Sequence, residues 1–163
     1  MKKHIITSIC IAVLTAVNLV AQTTPSIAQQ DDGTVTLPAS KAVLNIVSDH
    51  SQLKYASGDG KDNIDNWGSA KDTVSWTFTV KEPGKFKVTT EISAMKSSNF
   101  ELVVGDKKVQ GTSPATGGWT NFQKTEIKDT LEIPAGTVTL TVKPIADGWN
   151  YTNLKSIKLT LAK

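Results

Sequence analysis

The stretch Val74-Ser75-Trp76-Thr77-Phe78-Thr79-Val80 decides the fold class, because apolar and hydroxyl-bearing side chains alternate along it without a break. A period of two is typical of a β-strand that buries one of its faces. A turn follows at Glu82-Pro83-Gly84, and the same period resumes at Phe86, which predicts a second strand running back beside the first. Trp76 shares the parity of the apolar residues and is predicted to lie in the core.

Further short alternating segments, separated by turn residues, continue to the end of the chain. They centre on residues 100–104, 131–133, 138–142 and 157–161. No sustained apolar pattern with a helical period occurs after the N-terminal stretch. We therefore predict one all-β domain, an antiparallel β-sandwich of jelly-roll type. Its core is expected to contain four phenylalanines together with Trp76, namely Phe78, Phe86, Phe100 and Phe122.

The N-terminus is typical of a secretory signal peptide, because basic residues precede an apolar stretch from Ile5 to Ala21. Cleavage is predicted after Ala21 or after Ala28. The alternative is an uncleaved anchor, but that requires about 20 continuous apolar residues, and polar residues interrupt this stretch. The predicted organisation is a signal peptide over 1–28, a flexible leader over 29–35 and one β-domain over 36–163, in a secreted or periplasmic protein.

The composition excludes several classes of function. Cleavage would remove Cys10, the only cysteine, so no disulfide is expected in the mature chain. The chain has no arginine and carries a formal charge of only +3, which argues against nucleic acid as a partner. His50 is the only histidine outside the predicted signal peptide, and no catalytic or phosphate-binding motif occurs. We predict neither a catalytic residue nor a cofactor.

Three of the four tryptophans lie in turn-like segments, Asp65-Asn66-Trp67-Gly68, Thr116-Gly117-Gly118-Trp119 and Asp147-Gly148-Trp149-Asn150. Loops run over the surface, and an aromatic ring beside amides and carboxylates suits a sugar, which has an apolar face and a rim of hydroxyls. For Trp67 the alternative is a ring folded over the edge of the sandwich, and we favour the sugar platform. Trp149 and Tyr151 flank one asparagine, and one of the two rings can pack inward.

The predicted binding residues are three aromatic rings and two amides: Trp67, Trp119, Asn153, Trp149 and Asn66. An amide such as that of Asn153 both donates and accepts hydrogen bonds, which suits a sugar hydroxyl, although an asparagine before a strand also often caps a turn. Four oxygen-bearing side chains lie close together just before Trp67. Their spacing is not that of an EF-hand, so a solvated loop is favoured over a calcium site; they are Asp59, Asp62, Asn63 and Asp65.

Three ordered segments carry a resemblance to a known family. They are residues 62–67 followed by 72–78, residues 114–122 followed by 133–140, and residues 153–159. Together the stretch from Asp59 to Leu161 resembles the carbohydrate-binding modules of families 6 and 35, which are galactose-binding-domain-like jelly rolls. It is most similar to modules appended to secreted glycoside hydrolases such as α-L-fucosidases.

The resemblance implies a sugar site at the loop end of the sandwich, with Trp67 and Trp119 as aromatic walls and Asn153 as the hydrogen-bonding amide. It places Trp149 in the loop just before that amide. Members of these families often hold a structural calcium ion with an N-terminal pair of glutamates and a late aspartate. Here the N-terminal segment has no such pair and the last strand carries Lys158, so structural calcium is not expected.

We therefore expect a non-catalytic module that binds an oligosaccharide or polysaccharide. Two other functions stay open from the residues alone. The first is an extracytoplasmic domain that binds a protein partner or has a structural role in the cell envelope, since tryptophan is also common at protein interfaces. The second, less favoured, is a small glycan-active enzyme. Stable membrane insertion after cleavage is not expected.

Overall fold

The computed structural model describes residues 27–59 and 61–163, and it confirms the prediction of an all-β antiparallel sandwich. The signal peptide predicted over residues 1–28 lies outside the described residues except for Ile27 and Ala28. The described chain forms twelve strands in two sheets and one short 3₁₀ turn, Ala39–Lys41. Within these residues no helix has the length and apolar character needed to cross a membrane.

The larger sheet is built around the last strand of the chain. It has the order β10-β6-β12-β4-β3, with β1 also paired to β12 and β9 to β6. Its strands are β1 (Thr34–Pro38), β3 (Lys54–Gly58), β4 (Lys61–Trp67), β6 (Gly84–Ala94), β9 (Gln123–Glu126), β10 (Leu131–Ile133) and β12 (Thr152–Leu161). The smaller sheet has the order β2-β5-β11-β7-β8. Its strands are β2 (Val43–Asn45), β5 (Thr73–Val80), β7 (Ser98–Val104), β8 (Lys107–Ser113) and β11 (Gly136–Pro144).

The core between the sheets contains the residues that the alternation predicted. Trp76, Phe78, Phe86 and Phe100 are all buried. The Trp76 ring nitrogen donates a hydrogen bond to the Pro38 carbonyl (2.7 Å), so the one polar atom of this ring is satisfied inside the protein. Each such side chain stabilises the fold by roughly 1.5–3 kcal/mol through its burial.

Strand β4 contains an irregularity that the sequence did not reveal. Its pairing with β12 shifts between Leu154↔Ile64 and Thr152↔Trp67, so two residues of β4, Asp65 and Asn66, lie opposite one residue of β12, Asn153. Asn66, within this shift, adopts a left-handed backbone (φ 56°), which asparagine tolerates better than most residues. The extra residue turns Ile64 and Trp67 to the same face, although their spacing would put them on opposite faces of a regular strand.

The segment 29–35, predicted to be a flexible leader, is instead part of the folded domain. The backbone N–H of Gln29 donates to the Thr79 carbonyl (2.8 Å), at the edge of β5. The side chain of Gln29 is buried, and its carbonyl oxygen accepts the N–H groups of Lys81 (2.9 Å) and Glu82 (2.8 Å). The turn after β5 leaves these two N–H groups without strand partners, and the glutamine amide satisfies them.

Candidate functional site

The loop between β8 and β9 carries Trp119 and is fastened to the end of β6. The Thr116 N–H donates to the Ala94 carbonyl (2.8 Å), and the Ala94 N–H donates to the Thr116 hydroxyl (3.0 Å). Within the loop, the Asn121 side chain donates to the Thr116 carbonyl (2.5 Å). Gly117 has a left-handed backbone (φ 78°), a conformation that few other residues adopt at low cost. The loop therefore has a defined backbone path.

Two buried side chains of the larger sheet hydrogen-bond to the backbone of Trp119. Its carbonyl accepts hydrogen bonds from the Ser93 hydroxyl (2.7 Å) and from the Asn153 side-chain nitrogen (3.0 Å), and both of these residues are buried. The ring points the other way, because 46% of the Trp119 surface is exposed. The prediction that Trp119 lies outward is therefore confirmed, on a backbone that the sheet fixes in place.

A depression of about 420 Å³ lies beside this ring, and we call it the Trp119 groove. Strands β4 and β12 contribute the side chains that alternate away from the core, so the groove opens on the outer face of the larger sheet. Two aromatic rings, three uncharged polar side chains and four charged side chains line the groove. They are Trp119 and Phe122, then Asn63, Thr120 and Asn153, and finally Asp59, Asp65, Lys61 and Lys155. Trp119 and Asn153, two of the predicted binding residues, are thus brought together.

Phe122 was predicted to lie in the core, and that prediction is wrong. Its side chain is only partly buried and lines the Trp119 groove, where the Lys155 ammonium lies 5.4 Å from the ring centroid. The same ammonium is 3.9 Å from Glu91 Oε1. In this part of the chain Ile127 is buried in the core, and its N–H donates to the Val88 carbonyl (2.8 Å). Phe122 precedes the short strand β9, so strand parity does not apply to it.

Trp67 was predicted to form a surface platform, and its exposure contradicts that prediction. Only 1% of Trp67 is accessible, because the irregularity in β4 turns its side chain into the core. Its ring nitrogen donates to the Asp72 carbonyl (3.2 Å), and its ring meets that of Trp149 edge to face, with centroids 5.0 Å apart and planes at 62°. In this structure the Trp67 ring has no face available for a sugar.

Of the two rings that flank Asn150, Trp149 packs inward and Tyr151 points outward. Trp149 is partly buried against the core, and among the described residues its ring nitrogen has no hydrogen-bond partner. Tyr151 is 56% exposed. Trp149 therefore contacts Trp67 beneath the surface, and it does not line the Trp119 groove.

Asn66, the remaining predicted residue, lies in a second depression of about 430 Å³, which we call the Tyr151 depression. Its walls are the segment 47–52, the β4–β5 connection and Tyr151. The predicted residues thus fall in three places. Trp119 and Asn153 share one groove, Asn66 lies in another depression, and Trp67 is buried with the partly buried Trp149 packed against it.

The polar segment before Trp67 is a strand and not a solvated loop. Strands β3 and β4 form a hairpin, and Asp62 accepts a hydrogen bond from the Tyr55 hydroxyl (2.7 Å), which raises the pKa of Tyr55. Alternation along β4 sends Asn63 and Asp65 into the Trp119 groove. Over residues 27–59 and 61–163, no group of three or more His, Cys, Asp or Glu side chains is arranged to hold a metal ion.

A larger depression, about 700 Å³, lies elsewhere, between the turns that follow β5, β7 and β10. Its lining is mainly aliphatic and contains no aromatic side chain. It lacks the combination of a flat ring and convergent amides that suits a sugar, so the Trp119 groove is the better candidate despite its smaller volume.

Sequence reasoning missed Phe122, Lys155 and Asn63 as groove residues. Lys155 and Asn63 had a usable signal, because each is two residues from a neighbour that also lines the groove, Asn153 and Asp65 respectively. The signal was hidden by the failure to recognise residues 61–67 as a strand.

A comparison with protein-family models gives a match over most of the chain. The model of the family described as carbohydrate binding module (family 35) matches residues 34–162. No curated protein matched the chain.

Several solved structures share the fold. The C-terminal CBM6 of LamC, a marine laminarinase from Zobellia galactanivorans, has a TM-score of 0.62 at 19% identity, over 78% of this chain and 98% of that one. The module CBM6cm-2 from Cellvibrio mixtus lichenase 5A, in complex with cellotriose, has a TM-score of 0.59 at 15% identity, over 78% and 97%.

A third similar structure is that of a longer protein. The GH26-CBM35 β-(1,4)-mannanase of Podospora anserina has a TM-score of 0.61 at 18% identity and is matched over 81% of this chain. The present chain covers only 28% of that protein's length. At these identities the similarity concerns the fold.

Proposed function

This chain belongs to the carbohydrate-binding modules of family 35, and we propose that it binds a neutral glycan in the Trp119 groove without catalysing a reaction. The observation that carries the proposal is the half-exposed Trp119 ring on a backbone fixed by Ser93 and Asn153. A ring held in this way loses little conformational freedom when a sugar stacks on it.

The other side chains of the groove supply what a sugar ring needs around its apolar face. Asn63 and Asn153 carry amides that donate to and accept from hydroxyl groups. The four charged residues comprise two carboxylates and two ammonium groups, Asp59, Asp65, Lys61 and Lys155, so their formal charges cancel. A balanced set of charges favours a neutral glycan over a strongly anionic or cationic one.

Some of the hydrogen-bonding groups in the groove already have partners within the protein. The Asn153 side-chain nitrogen donates one N–H to the Trp119 carbonyl, and the Asn63 side-chain nitrogen donates one to the Ile64 carbonyl (3.1 Å), so each amide keeps its oxygen and a second N–H for a sugar hydroxyl. Asn153 therefore acts in two ways, by orienting the tryptophan and by offering hydrogen bonds to a sugar. An open groove with few buried polar groups binds weakly, as expected for a module whose affinity comes mainly from one ring.

The structural neighbours support binding of a saccharide. The Cellvibrio mixtus module that shares this fold was solved with cellotriose. We propose an oligosaccharide or polysaccharide as the partner here, bound by a secreted or periplasmic protein after export through the N-terminal segment. Mass spectrometry of the exported protein would test the export, since an unprocessed chain would contradict it.

The test is a glycan-array screen of the purified protein, with and without calcium, followed by titration of each hit by isothermal titration calorimetry, which does not depend on the ring that the variant removes. Trp119→Ala is expected to weaken binding at least about tenfold, or about 1.4 kcal/mol, while the free energy of unfolding changes by less than about 1 kcal/mol. Trp119→Phe keeps an aromatic face and should retain most of the affinity.

Two outcomes would contradict the proposal. One is the absence of any glycan hit with folded protein, which would favour a protein-binding domain. The other is unchanged affinity in Trp119→Ala, which would place the sugar elsewhere on the module.

A further inference from the structure

Tyr151 presents a second aromatic face that the proposed function does not use. Its side chain is 56% exposed, in the connection that leads into β12. The ring rests on Gly68, because a methyl group placed on that glycine would lie only 2.5 Å from Tyr151 Cε1 and 2.8 Å from Cε2. One face of the ring is thus covered by backbone, and the opposite face is open to solvent.

The surroundings of this ring are polar and well supported. In the Tyr151 depression the hydroxyl groups of Ser48 and Ser69 are hydrogen-bonded to each other (2.7 Å). The segment that carries Ser48 is held by the fully buried Asp72, which accepts the N–H groups of Val47 (2.9 Å) and Ser48 (3.0 Å). The depression is therefore a fixed feature of the surface, with hydrogen-bonding groups beside an open ring.

The Tyr151 depression and the Trp119 groove are adjacent. Asp65 lines the groove and Asn66 lines the depression, so consecutive residues, with Cα atoms about 3.8 Å apart, separate the two. In the chain that leads into β12, Tyr151, which lines the depression, precedes Asn153, which lines the groove, by two residues. Two residues along a strand span about 7 Å.

We propose that the Tyr151 depression is a second sugar subsite, which takes further units of the same neutral oligosaccharide that the Trp119 groove binds. This inference rests on the proposed function. A glycan that leaves the groove over Asp65 and Asn66 meets the open face of Tyr151, where stacking adds affinity and the neighbouring hydroxyl and amide groups satisfy sugar hydroxyls. The module then prefers longer chains over short ones.

The test compares affinities across oligosaccharide length by isothermal titration calorimetry. The probes are cello-, manno- and laminari-oligosaccharides, from dimers through hexamers. The wild-type protein should bind the longer members of at least one series roughly twofold to tenfold more tightly than the dimer, the range expected for one additional stacked ring. Tyr151→Ala should lose this gain while keeping the wild-type affinity for the shortest ligand that binds.

Two further variants separate loss of stacking from loss of structure. Tyr151→Phe keeps the ring and should retain the gain with length. Gly68→Ala keeps the tyrosine but displaces its ring, so it should lose the gain as Tyr151→Ala does, and thermal unfolding of each variant checks that the fold is intact. Because Tyr151 is exposed, its replacement should leave the midpoint of unfolding nearly unchanged.

The outcomes distinguish the two proposals. Binding without any gain in affinity with length, or a gain that Tyr151→Ala retains, overturns the second subsite and leaves the Trp119 groove as the site. Absence of binding to all three series, together with absence of any hit on the glycan array, overturns both.

Discussion

Trp67 and Trp119 have similar neighbouring residues, but one side chain is buried and the other is exposed. Each is flanked by glycine or asparagine in a segment that looks like a turn, yet Trp67 is 1% exposed and Trp119 is 46% exposed. The ring nitrogen of Trp67 donates to the backbone of Asp72, whereas Trp119 is fixed through its carbonyl. The difference shows that the backbone decides the direction of a tryptophan, and that neighbouring residue types do not.

The backbone acts differently in the two regions. At Trp67, one additional residue in β4 reverses the face to which the side chain points. At Trp119, hydrogen bonds from Ser93 and Asn153 hold the main chain and leave the ring to solvent. The first tryptophan is thus part of the core that positions the site, and the second belongs to the site itself.

The largest effect that would test this contrast is expected from Trp67→Ala. Removing a fully buried tryptophan leaves a cavity, so the free energy of unfolding should fall by roughly 3–5 kcal/mol. Chemical denaturation measures the change, and Trp119→Ala is the matched control on an exposed ring. A loss below about 1 kcal/mol in Trp67→Ala would mean that its ring is not a core element.

A change of intermediate size is expected at Asp72, which supports the Trp67 region. Burial alone would raise the pKa of Asp72, but the nearby Ser51 hydroxyl and the hydrogen bonds from the Val47 and Ser48 N–H groups hold it below its ordinary value. Since a lowered pKa means that the folded state favours the ionised form, Asp72 stabilises the fold above about pH 4, and this contribution is lost as the pH falls through the lowered pKa.

Asp72→Asn should therefore lower the free energy of unfolding by about 1–3 kcal/mol at neutral pH, and the difference in stability between variant and wild type should become smaller in acid. Urea denaturation of both proteins, at neutral pH and below pH 4, measures this difference. The other carboxylates are the same in the two proteins, so their titration cancels in the comparison. A stability difference that is independent of pH would show that the charge of Asp72 does not contribute to the free energy of unfolding.

The smallest effect is expected from Ser93→Ala, on the Trp119 side of the contrast. The variant removes one of the two hydrogen bonds to the Trp119 carbonyl and should lower stability by about 1 kcal/mol. Because the loop then orients the ring less firmly, sugar affinity should fall about threefold or more, although Ser93 is buried and does not line the groove.

Thr77→Val is the control for Ser93→Ala, since it removes a hydroxyl hydrogen-bonded to Thr139 on the outer face of the smaller sheet, away from the groove. It should leave sugar affinity unchanged. Equal affinity in Ser93→Ala and wild type would show that Asn153 alone suffices to hold Trp119.

The sequence allowed the fold to be predicted wherever strands are regular. Along β5 the alternation is unbroken, so Trp76 and Phe78 were assigned to the core correctly. In β4 the extra residue at the bulge destroys the parity on which such reasoning depends, and both the strand and the burial of Trp67 were missed. A bulge is defined by pairing with another strand, and that information is not present in a local pattern.

The candidate site was only partly predictable, because strand parity gives the direction of a side chain only within a regular strand. Trp119 was recognised because two glycines precede it in a segment that does not alternate, and Asn153 because it opens the last strand. Phe122 and Tyr151 were not, since their directions depend on where β9 and β12 begin. The adjacency of the two depressions depends on the pairing of β4 with β12, which joins residues far apart in the chain.

The pairing of β1 with β12 has a consequence for attachment of the module. The Leu161 N–H donates to the Gly33 carbonyl (3.2 Å), so the two ends of the folded domain lie side by side. Asn153, in the groove, is at the opposite end of β12, and the strand from there to Leu161 spans roughly 27 Å. A linker, a fusion partner or a solid support joined at either end would therefore leave the groove facing away from the point of immobilisation.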